Sequence, residues 1–116
     1  MRDLANVKLI HFADLKRDLP GQIRSVAAFL DIDVAPNTMA AILLHCSFNY
    51  MKENASASAP LGGAFWEGGA KTFIYKGTIG RWREQLGRDV SERYLARAER
   101  ELGNDCARWL AHGSLG

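Results

Sequence analysis

The residues best suited to chemistry lie in one stretch, residues 75–86, which reads YKGTIGRWREQL. Lys76, Gly77 and Gly80 follow a β-favouring run and precede a short helical pattern near Trp82. Glycine lets a backbone approach a ligand closely or adopt a positive φ at little steric cost. Amides at a helix start face anions, and a lysine adds a mobile positive charge. The stretch favours phosphate binding, although an exposed glycine turn beside a solvated basic helix fits the spacing equally well.

Two short runs on either side of the central helical region favour strands. Residues 7–12 (VKLIHF) and 72–75 (TFIY) are mostly apolar, so the sequence predicts one or two short strands. A strand needs a pairing partner, and the chain offers few candidates. We therefore expect association with another chain or segment.

Two amphipathic helices are predicted between these runs. Pro20 and Pro36 each occupy a plausible first helical position. Apolar residues then recur at i, i+3, i+4 and i+7, which predicts two stripes of buried core. The stripes comprise Ile23, Val26, Ala27 and Leu30 in one helix and Met39, Ile42, Leu43 and Cys46 in the other.

A short helix and a long loop are predicted next. Ser47 is a suitable cap for a helix over residues 48–53. Residues 54–70 are rich in Ala, Ser and Gly and carry the large pair Phe65-Trp66. Loops of this length in a compact domain are usually functional or mobile, so we expect a mobile loop that acts as a lid or a partner contact.

Helical patterns also fill residues 88–112. Asp89 and Glu92 have capping-box spacing, which predicts that Asp89 caps the first of two helices. Gly103 and Gly113 are placed to end the two helices. The apolar face expected for the first helix is Val90, Tyr94, Leu95, Ala98 and Leu102, and that of the second is Cys106, Trp109 and Leu110.

Composition places few bounds on function. The 116 residues carry a net charge of +2 and are 47% hydrophobic, as expected of one globular domain. Residues 71–100 hold eight Lys or Arg against four Asp or Glu, so this region could attract a small polyanion. There is no long apolar run or signal-peptide pattern, and Cys46 and Cys106 lack metal-ligand spacing. We therefore expect a cytoplasmic protein without a metal site or membrane segment.

The stretch 75–86 resembles the C-terminal signature of the cytosolic-type sulfotransferase family, R-K-G-x-x-G-D-W-[KR]-x-x-[FL]. In that family the signature wraps the 3′-phosphate of the sulfate donor 3′-phosphoadenosine 5′-phosphosulfate (PAPS). Tyr75 stands where the family has arginine, and Arg81 where it has aspartate. The positions that match are Lys76, Gly77, Gly80, Trp82, Arg83 and Leu86.

Earlier stretches follow the same family's order and spacing, so that the resemblance covers roughly residues 7–100. The family motifs Y-E-D-L and A-x-F-L-x-I are similar to residues 12–15 (FADL) and 28–32 (AFLDI). The motifs T-S-F and M-K-x-N are similar to residues 46–48 (CSF) and 51–54 (MKEN).

The resemblance implies roles for individual residues. Phe12 and Phe48 would supply aromatic faces for adenine, at about 1 to 3 kcal/mol per stacked base. Cys46 replaces a threonine and is a weaker hydrogen-bonding group. Ordinary core packing is the alternative for these three side chains. The nucleotide-binding set implied by the resemblance is Phe12, Cys46, Ser47, Phe48, Tyr75, Lys76, Gly77, Gly80 and Trp82.

The family's catalytic half has no counterpart here. No phosphosulfate loop of the type P-K-[ST]-G-[TS]-[TS] occurs, and we expect neither His11 nor His45 to be the catalytic base. The resemblance implies an α/β fold with a parallel sheet and a P-loop-like core. Residues 1–116 would form a single partial domain, a mostly α-helical C-terminal portion. Its parts would be the mobile loop 54–70, the 3′-phosphate-binding loop and helix 71–86, and the helices 88–112.

The leading hypothesis is a PAPS-dependent sulfotransferase-family chain. It would bind the adenine and 3′-phosphate end of the donor, and its partner would be a missing N-terminal half or a second copy. The alternative is a non-catalytic nucleotide-binding or protein-interaction module derived from a sulfotransferase. A third hypothesis, nucleic-acid binding through residues 88–100, is disfavoured because acidic residues are interleaved there at helical spacing.

Overall fold

The computed structural model describes residues 4–114, which form short helices joined by turns. Backbone contacts divide the chain into two compact units. Unit 1 comprises Met1–Asp33 and Ile79–Gly116, and unit 2 comprises Val34–Thr78. The prediction of a single partial domain stays a prediction. The helices are α1 (Phe12–Arg17), α2 (Leu19–Phe29), α3 (Pro36–His45), α4 (Phe48–Glu53), α5 (Ala55–Ser58), a 3₁₀ helix (Pro60–Gly63), α6 (Ala70–Phe73), α7 (Trp82–Gln85), α8 (Arg88–Leu102) and α9 (Asn104–His112).

The helices predicted from local start signals are confirmed. Helix α2 has Pro20 in its first turn, and α3 begins at Pro36. Ser47 caps α4, because its hydroxyl accepts a hydrogen bond from the Tyr50 N–H at 3.2 Å. Each of these signals acts within one turn of the residue that carries it, and none depends on the rest of the fold.

The ends of α8 and α9 are confirmed, but the predicted cap of α8 is wrong. Gly103 and Gly113 end the two helices with φ of 76° and 80°. Helix α8 begins at Arg88, after Gly87, and no side chain caps it. Asp89 lies inside the first turn and forms an ion pair with Arg93 at 3.2 Å instead. This i, i+4 pairing competes with the capping role that its spacing suggested.

The strand predictions are wrong for the described residues. Residues 7–11 have no regular secondary structure, Phe12 begins α1, and residues 72 and 73 lie within α6. No strand is assigned between residues 4 and 114. A strand is stabilised by pairing with a neighbour, and neither segment has one here. The parallel sheet and P-loop-like core implied by the resemblance stay predictions.

Residues 54–70 are not a continuous loop. They contain α5 and the 3₁₀ helix, and Ala55 and Ala59 of this segment are buried. The indole of Trp66 lies 4.5 Å from the ring of Phe73, whereas the Phe65 side chain is exposed. Trp66 therefore makes a local contact, whereas most of the Phe65 side chain faces solvent. Mobility of the segment stays a prediction.

The prediction that the two helical stripes are buried core is wrong. Leu30 is 56% exposed, Cys46 is exposed, and the remaining stripe residues are half-buried. The faces expected for α8 and α9 are likewise half-buried or exposed, and Ala107 is the buried residue of α9. Each unit is small, and small units bury a low fraction of their surface. The buried non-glycine residues among those described are Ala13, Asp14, Ala55, Ala59 and Ala107.

Candidate functional site

The loop after α6 presents backbone donors and a cation in unit 2. Within residues 4–114, the N–H groups of Lys76, Gly77 and Thr78 have no hydrogen-bond acceptor. The Lys76 ammonium lies 5.2 Å from the ring centroid of Tyr75 and pairs with no carboxylate of that same range. Three successive amides and one ammonium are therefore available to an anion.

The ring of Phe48, the first residue of α4, packs against this loop. Gly77 has φ of 60°, and a Cβ added to it would lie 2.5 Å from Cδ2 of the ring. Only a residue without a side chain allows this close approach, and the positive φ also favours glycine. The structure thus brings together two predicted site residues, one expected at adenine and one at the 3′-phosphate.

Lys52 links the ring and the loop, a role that we did not predict from the sequence. Its Nζ donates a hydrogen bond to the Tyr75 carbonyl oxygen at 2.8 Å. The same ammonium lies 5.6 Å from the Phe48 ring centroid, within cation–π range. The one sequence signal was the position of Lys52 inside the M-K-x-N match, which places it one turn after Phe48.

Cys46 and Ser47 connect α3 to α4. Cys46 is the C-terminal cap residue of α3, and its side chain is exposed. The prediction that this cysteine packs in the core is therefore wrong. The Ser47 hydroxyl is occupied as the cap of α4. The contribution of either residue to nucleotide binding stays a prediction.

In unit 1, Phe12 is the first residue of α1, and its side chain is 53% exposed. His11 caps this helix, with Nδ1 accepting from the Ala13 N–H at 3.1 Å. Its Nε2 lies 2.9 Å from the Leu110 carbonyl oxygen. A carbonyl only accepts, so Nε2 carries the proton and Nδ1 is the acceptor. Both ring nitrogens thus hold the start of α1.

Further polar contacts bind α1 to the end of α9. Asp14 is 3% exposed, and its carboxylate accepts a 2.7 Å hydrogen bond from the Ser114 N–H. Arg17 reaches Asp14 at 3.4 Å and donates to the His112 carbonyl at 2.8 Å. A Cβ on Gly113 would overlap the Asp14 carboxylate. We call these contacts of His11, Asp14 and Arg17 the α1–α9 clasp, which fixes the backbone at Phe12 and leaves its ring open.

Gly80 and Trp82 also belong to unit 1. Gly80 has φ of 85°. Trp82 is the first residue of α7, and the Arg83 guanidinium carbon lies 4.9 Å from its ring centroid. Phe12, Gly80 and Trp82 thus lie in unit 1, whereas Cys46, Ser47, Phe48, Tyr75, Lys76 and Gly77 lie in unit 2. Their joint action on one nucleotide stays a prediction.

Residues 4–114 contain neither a metal-ligand cluster nor a helix that could span a membrane. No three His, Cys, Asp or Glu side chains there form a group that could hold a metal ion. Nor does any helix in that range have both the length and the apolar character needed to cross a membrane.

Comparison with known proteins gives a consistent result. A family model described as the sulfotransferase domain matches residues 1–105. Sulfotransferase 2A6 of Rattus norvegicus is 32% identical over 86 residues, which cover 74% of this chain and 30% of the relative. The 3-alpha-hydroxysteroid sulfotransferase of Cavia porcellus is 29% identical over the same shares. Sulfotransferase 1C2 of Homo sapiens is 27% identical over 95 residues, or 81% of this chain and 32% of the relative.

The matched segment spans about 30% of the length of these curated relatives. No solved structure is a significant match. The family model covers most of the sequence. The matched part includes the stretch 75–86 and the clasp residues His11, Asp14 and Arg17. The chain belongs to the sulfotransferase family.

Proposed function

We propose that this chain binds the adenine and 3′-phosphate end of PAPS, or of the product adenosine 3′,5′-bisphosphate. It would do so as part of an enzyme that transfers a sulfuryl group to an acceptor hydroxyl or amine. The observation that carries the proposal is the packing of the Phe48 ring against Gly77, beside Lys76 and three amides without an acceptor in residues 4–114.

The groups of unit 2 suit the two chemical parts of that ligand. The Lys76 ammonium and the amides of Lys76, Gly77 and Thr78 would donate to the 3′-phosphate. A hydrogen bond to a charged group contributes roughly 1.5 to 3 kcal/mol. Phe48 would present an aromatic surface to the purine, and the resemblance assigns the same role to the exposed Phe12 ring.

The sulfuryl end of the donor would be held elsewhere. Sulfuryl transfer requires groups that align the donor with the acceptor, neutralise spread charge and take the acceptor proton. The sequence has no phosphosulfate-loop motif, and both nitrogens of His11 are occupied in the clasp. We propose that an N-terminal half, or a second copy, supplies those groups. One relative's name specifies a hydroxysteroid, which supports a hydroxyl acceptor.

The arginines of α8 support a solvated surface more than a nucleic-acid site. Arg88 pairs with Glu92 at 2.6 Å, and Arg93 pairs with Asp89 at 3.2 Å. In such i, i+4 pairs the positive charge of each guanidinium is partly neutralised by the neighbouring carboxylate. A cytoplasmic location stays a prediction.

The experiment is calorimetric titration of the 116-residue chain with adenosine 3′,5′-bisphosphate. Lys76→Ala should weaken binding by about 10- to 100-fold, because one charge-assisted contact is lost. Adenosine 5′-monophosphate lacks the 3′-phosphate, so its weaker binding should be unaffected by the substitution. Lys71→Ala is the matched control, since Lys71 is an exposed lysine of the same unit.

A folded chain that binds neither nucleotide would contradict the proposal. The non-catalytic interaction module would then be the better hypothesis. Tyr75 is the observation that favours this alternative, because a tyrosine lacks the bidentate phosphate-binding fork of the family's arginine.

A further inference from the structure

We propose that Lys52 is a positioning residue for the 3′-phosphate loop, and that it acts through the carbonyl of Tyr75. This inference rests on the proposed function for its effect on nucleotide affinity. The contact itself is a property of unit 2 alone, so it can be tested without a nucleotide.

The Lys52 hydrogen bond fixes the orientation of one peptide group. Its Nζ lies 2.8 Å from the oxygen of the peptide that joins Tyr75 to Lys76. This peptide is trans, so its C=O and N–H point in opposite directions. Holding the oxygen towards the Lys52 ammonium therefore aims the Lys76 N–H away from that ammonium. That N–H is the first of the three amides proposed to meet the phosphate.

A second contact of the same ammonium adds a further restraint. The ammonium lies 5.6 Å from the Phe48 ring centroid. That ring packs against Gly77, two residues after Tyr75. Residues 75–77 are thereby held at two points from α4, by the ammonium at the carbonyl and by the ring at the glycine. Two such points restrict rotation of the loop more than either alone.

The charge of Lys52 also affects the amide as a donor. A charge-assisted hydrogen bond to a carbonyl polarises the whole peptide group. The N–H of Lys76 should therefore donate more strongly to a phosphate oxygen than it would with a neutral partner on the carbonyl. Lys52 acts through this peptide group, so it is a positioning residue rather than a direct phosphate ligand.

The first test is nuclear magnetic resonance of the 116-residue chain without nucleotide. Lys52→Met keeps an apolar stem of similar length but removes the ammonium. It should shift the Tyr75 carbonyl ¹³C and Lys76 amide ¹⁵N resonances, whereas Lys71→Met, a matched exposed lysine, should shift neither. Unchanged resonances in Lys52→Met would overturn the proposal, whatever the chain binds.

The second test compares affinities for adenosine 3′,5′-bisphosphate and adenosine 5′-monophosphate. Lys52→Met should reduce the ratio of the two affinities by about tenfold, since the loss is confined to the 3′-phosphate. Lys52→Arg, which keeps a charged donor, should restore the ratio to within about threefold of wild type. A uniform loss for both ligands, together with a lower melting temperature, would mean a purely structural role and would overturn the proposal.

The two tests separate this inference from the proposed function. If the wild-type chain binds no nucleotide, the proposed function fails, and the resonance shifts alone decide whether Lys52 positions the loop. If Lys76→Ala weakens binding but Lys52→Met leaves both the ratio and the resonances unchanged, the proposed function stands and the role of Lys52 fails.

Discussion

Helices α1 and α4 start in the same way but are held differently. Each has six residues, begins with phenylalanine and is capped by the side chain of the preceding residue. In α1 the α1–α9 clasp holds the backbone, and the Phe12 ring is 53% exposed. In α4 the ring of Phe48 is itself the contact, because it packs against Gly77.

The difference shows two ways of presenting an aromatic ring. Polar contacts can fix the backbone and leave the ring available, or packing can fix the ring and draw a loop to it. In the first case stability and ligand binding depend on separate groups. In the second they depend on the same group, so substitutions should separate the two properties in α1 and couple them in α4.

The largest loss of stability should follow from adding a side chain at Gly113, where the backbone of the clasp lies against the Asp14 carboxylate. Gly113→Ala places a Cβ in the Asp14 carboxylate and forces a backbone conformation that alanine rarely adopts. We expect a loss of about 4 kcal/mol in the free energy of opening, roughly half from strain and half from the buried carboxylate. Hydrogen exchange of the α1 amides measures this quantity.

Gly103→Ala is the matched control for that substitution. Gly103 ends α8 with a similar backbone conformation, but a Cβ there meets nothing within 4 Å. Gly103→Ala should lower the free energy of opening only by the backbone strain, about 2 kcal/mol. Equal losses for the two variants would mean that the clasp contributes nothing beyond the backbone.

The corresponding change for α4 is Gly77→Ala. A Cβ would lie 2.5 Å from the Phe48 ring, at a residue with φ of 60°. We expect a loss of about 3 kcal/mol, from left-handed strain and overpacking together, measured by hydrogen exchange in α4. Gly62 has φ of 63°, and a Cβ there would make only an ordinary 3.6 Å contact. Gly62→Ala should therefore lower the free energy of unfolding by about 1 kcal/mol. A Gly77→Ala variant no worse than this control would argue against the ring contact.

The smallest effect separates the two rings directly. Phe12→Ala should weaken binding of adenosine 3′,5′-bisphosphate about tenfold and change stability by less than about 0.5 kcal/mol. Phe48→Ala should lower both, with a stability loss of about 2 kcal/mol, because its ring supports the loop. Urea denaturation and titration measure the two quantities, and Phe65→Ala, an exposed phenylalanine, is the control. A stability loss at Phe12 equal to that at Phe48 would remove the distinction between the helices.

Local signals in the sequence predicted α2, α3, α4, α8 and α9, but not α5, the 3₁₀ helix or α6. Ser47 and Pro36 act on their own helix starts, and Gly103 acts on its own helix end, so each could be interpreted from a few neighbours. The strands predicted at 7–12 and 72–75 are not formed, because a strand depends on pairing with a distant segment that local signals do not reveal. The buried positions were missed for a related reason, since burial depends on how much surface the neighbouring elements cover.

The sequence suggested members of the candidate site, whose roles stay predictions, but it did not indicate the contacts between them. The resemblance named Phe48 and Gly77, and the structure brings them together in unit 2. The contact of Lys52 with Tyr75 spans 23 positions, and that of Asp14 with Ser114 spans 100. Neither hydrogen bond follows a helical or strand period, so no periodicity in the sequence indicates it.

The separation of 100 residues between Asp14 and Ser114 affects the order in which a ribosome completes the two units. Synthesis proceeds at about 5–20 residues per second, so roughly 5 to 20 seconds pass between the addition of Asp14 and that of Ser114. Unit 2 is one continuous segment, Val34–Thr78, so all of it has been synthesised before Ser114 is added. Helix α1 is therefore translated first and anchored last, and throughout that interval the nascent chain carries the Asp14 carboxylate without its Ser114 donor.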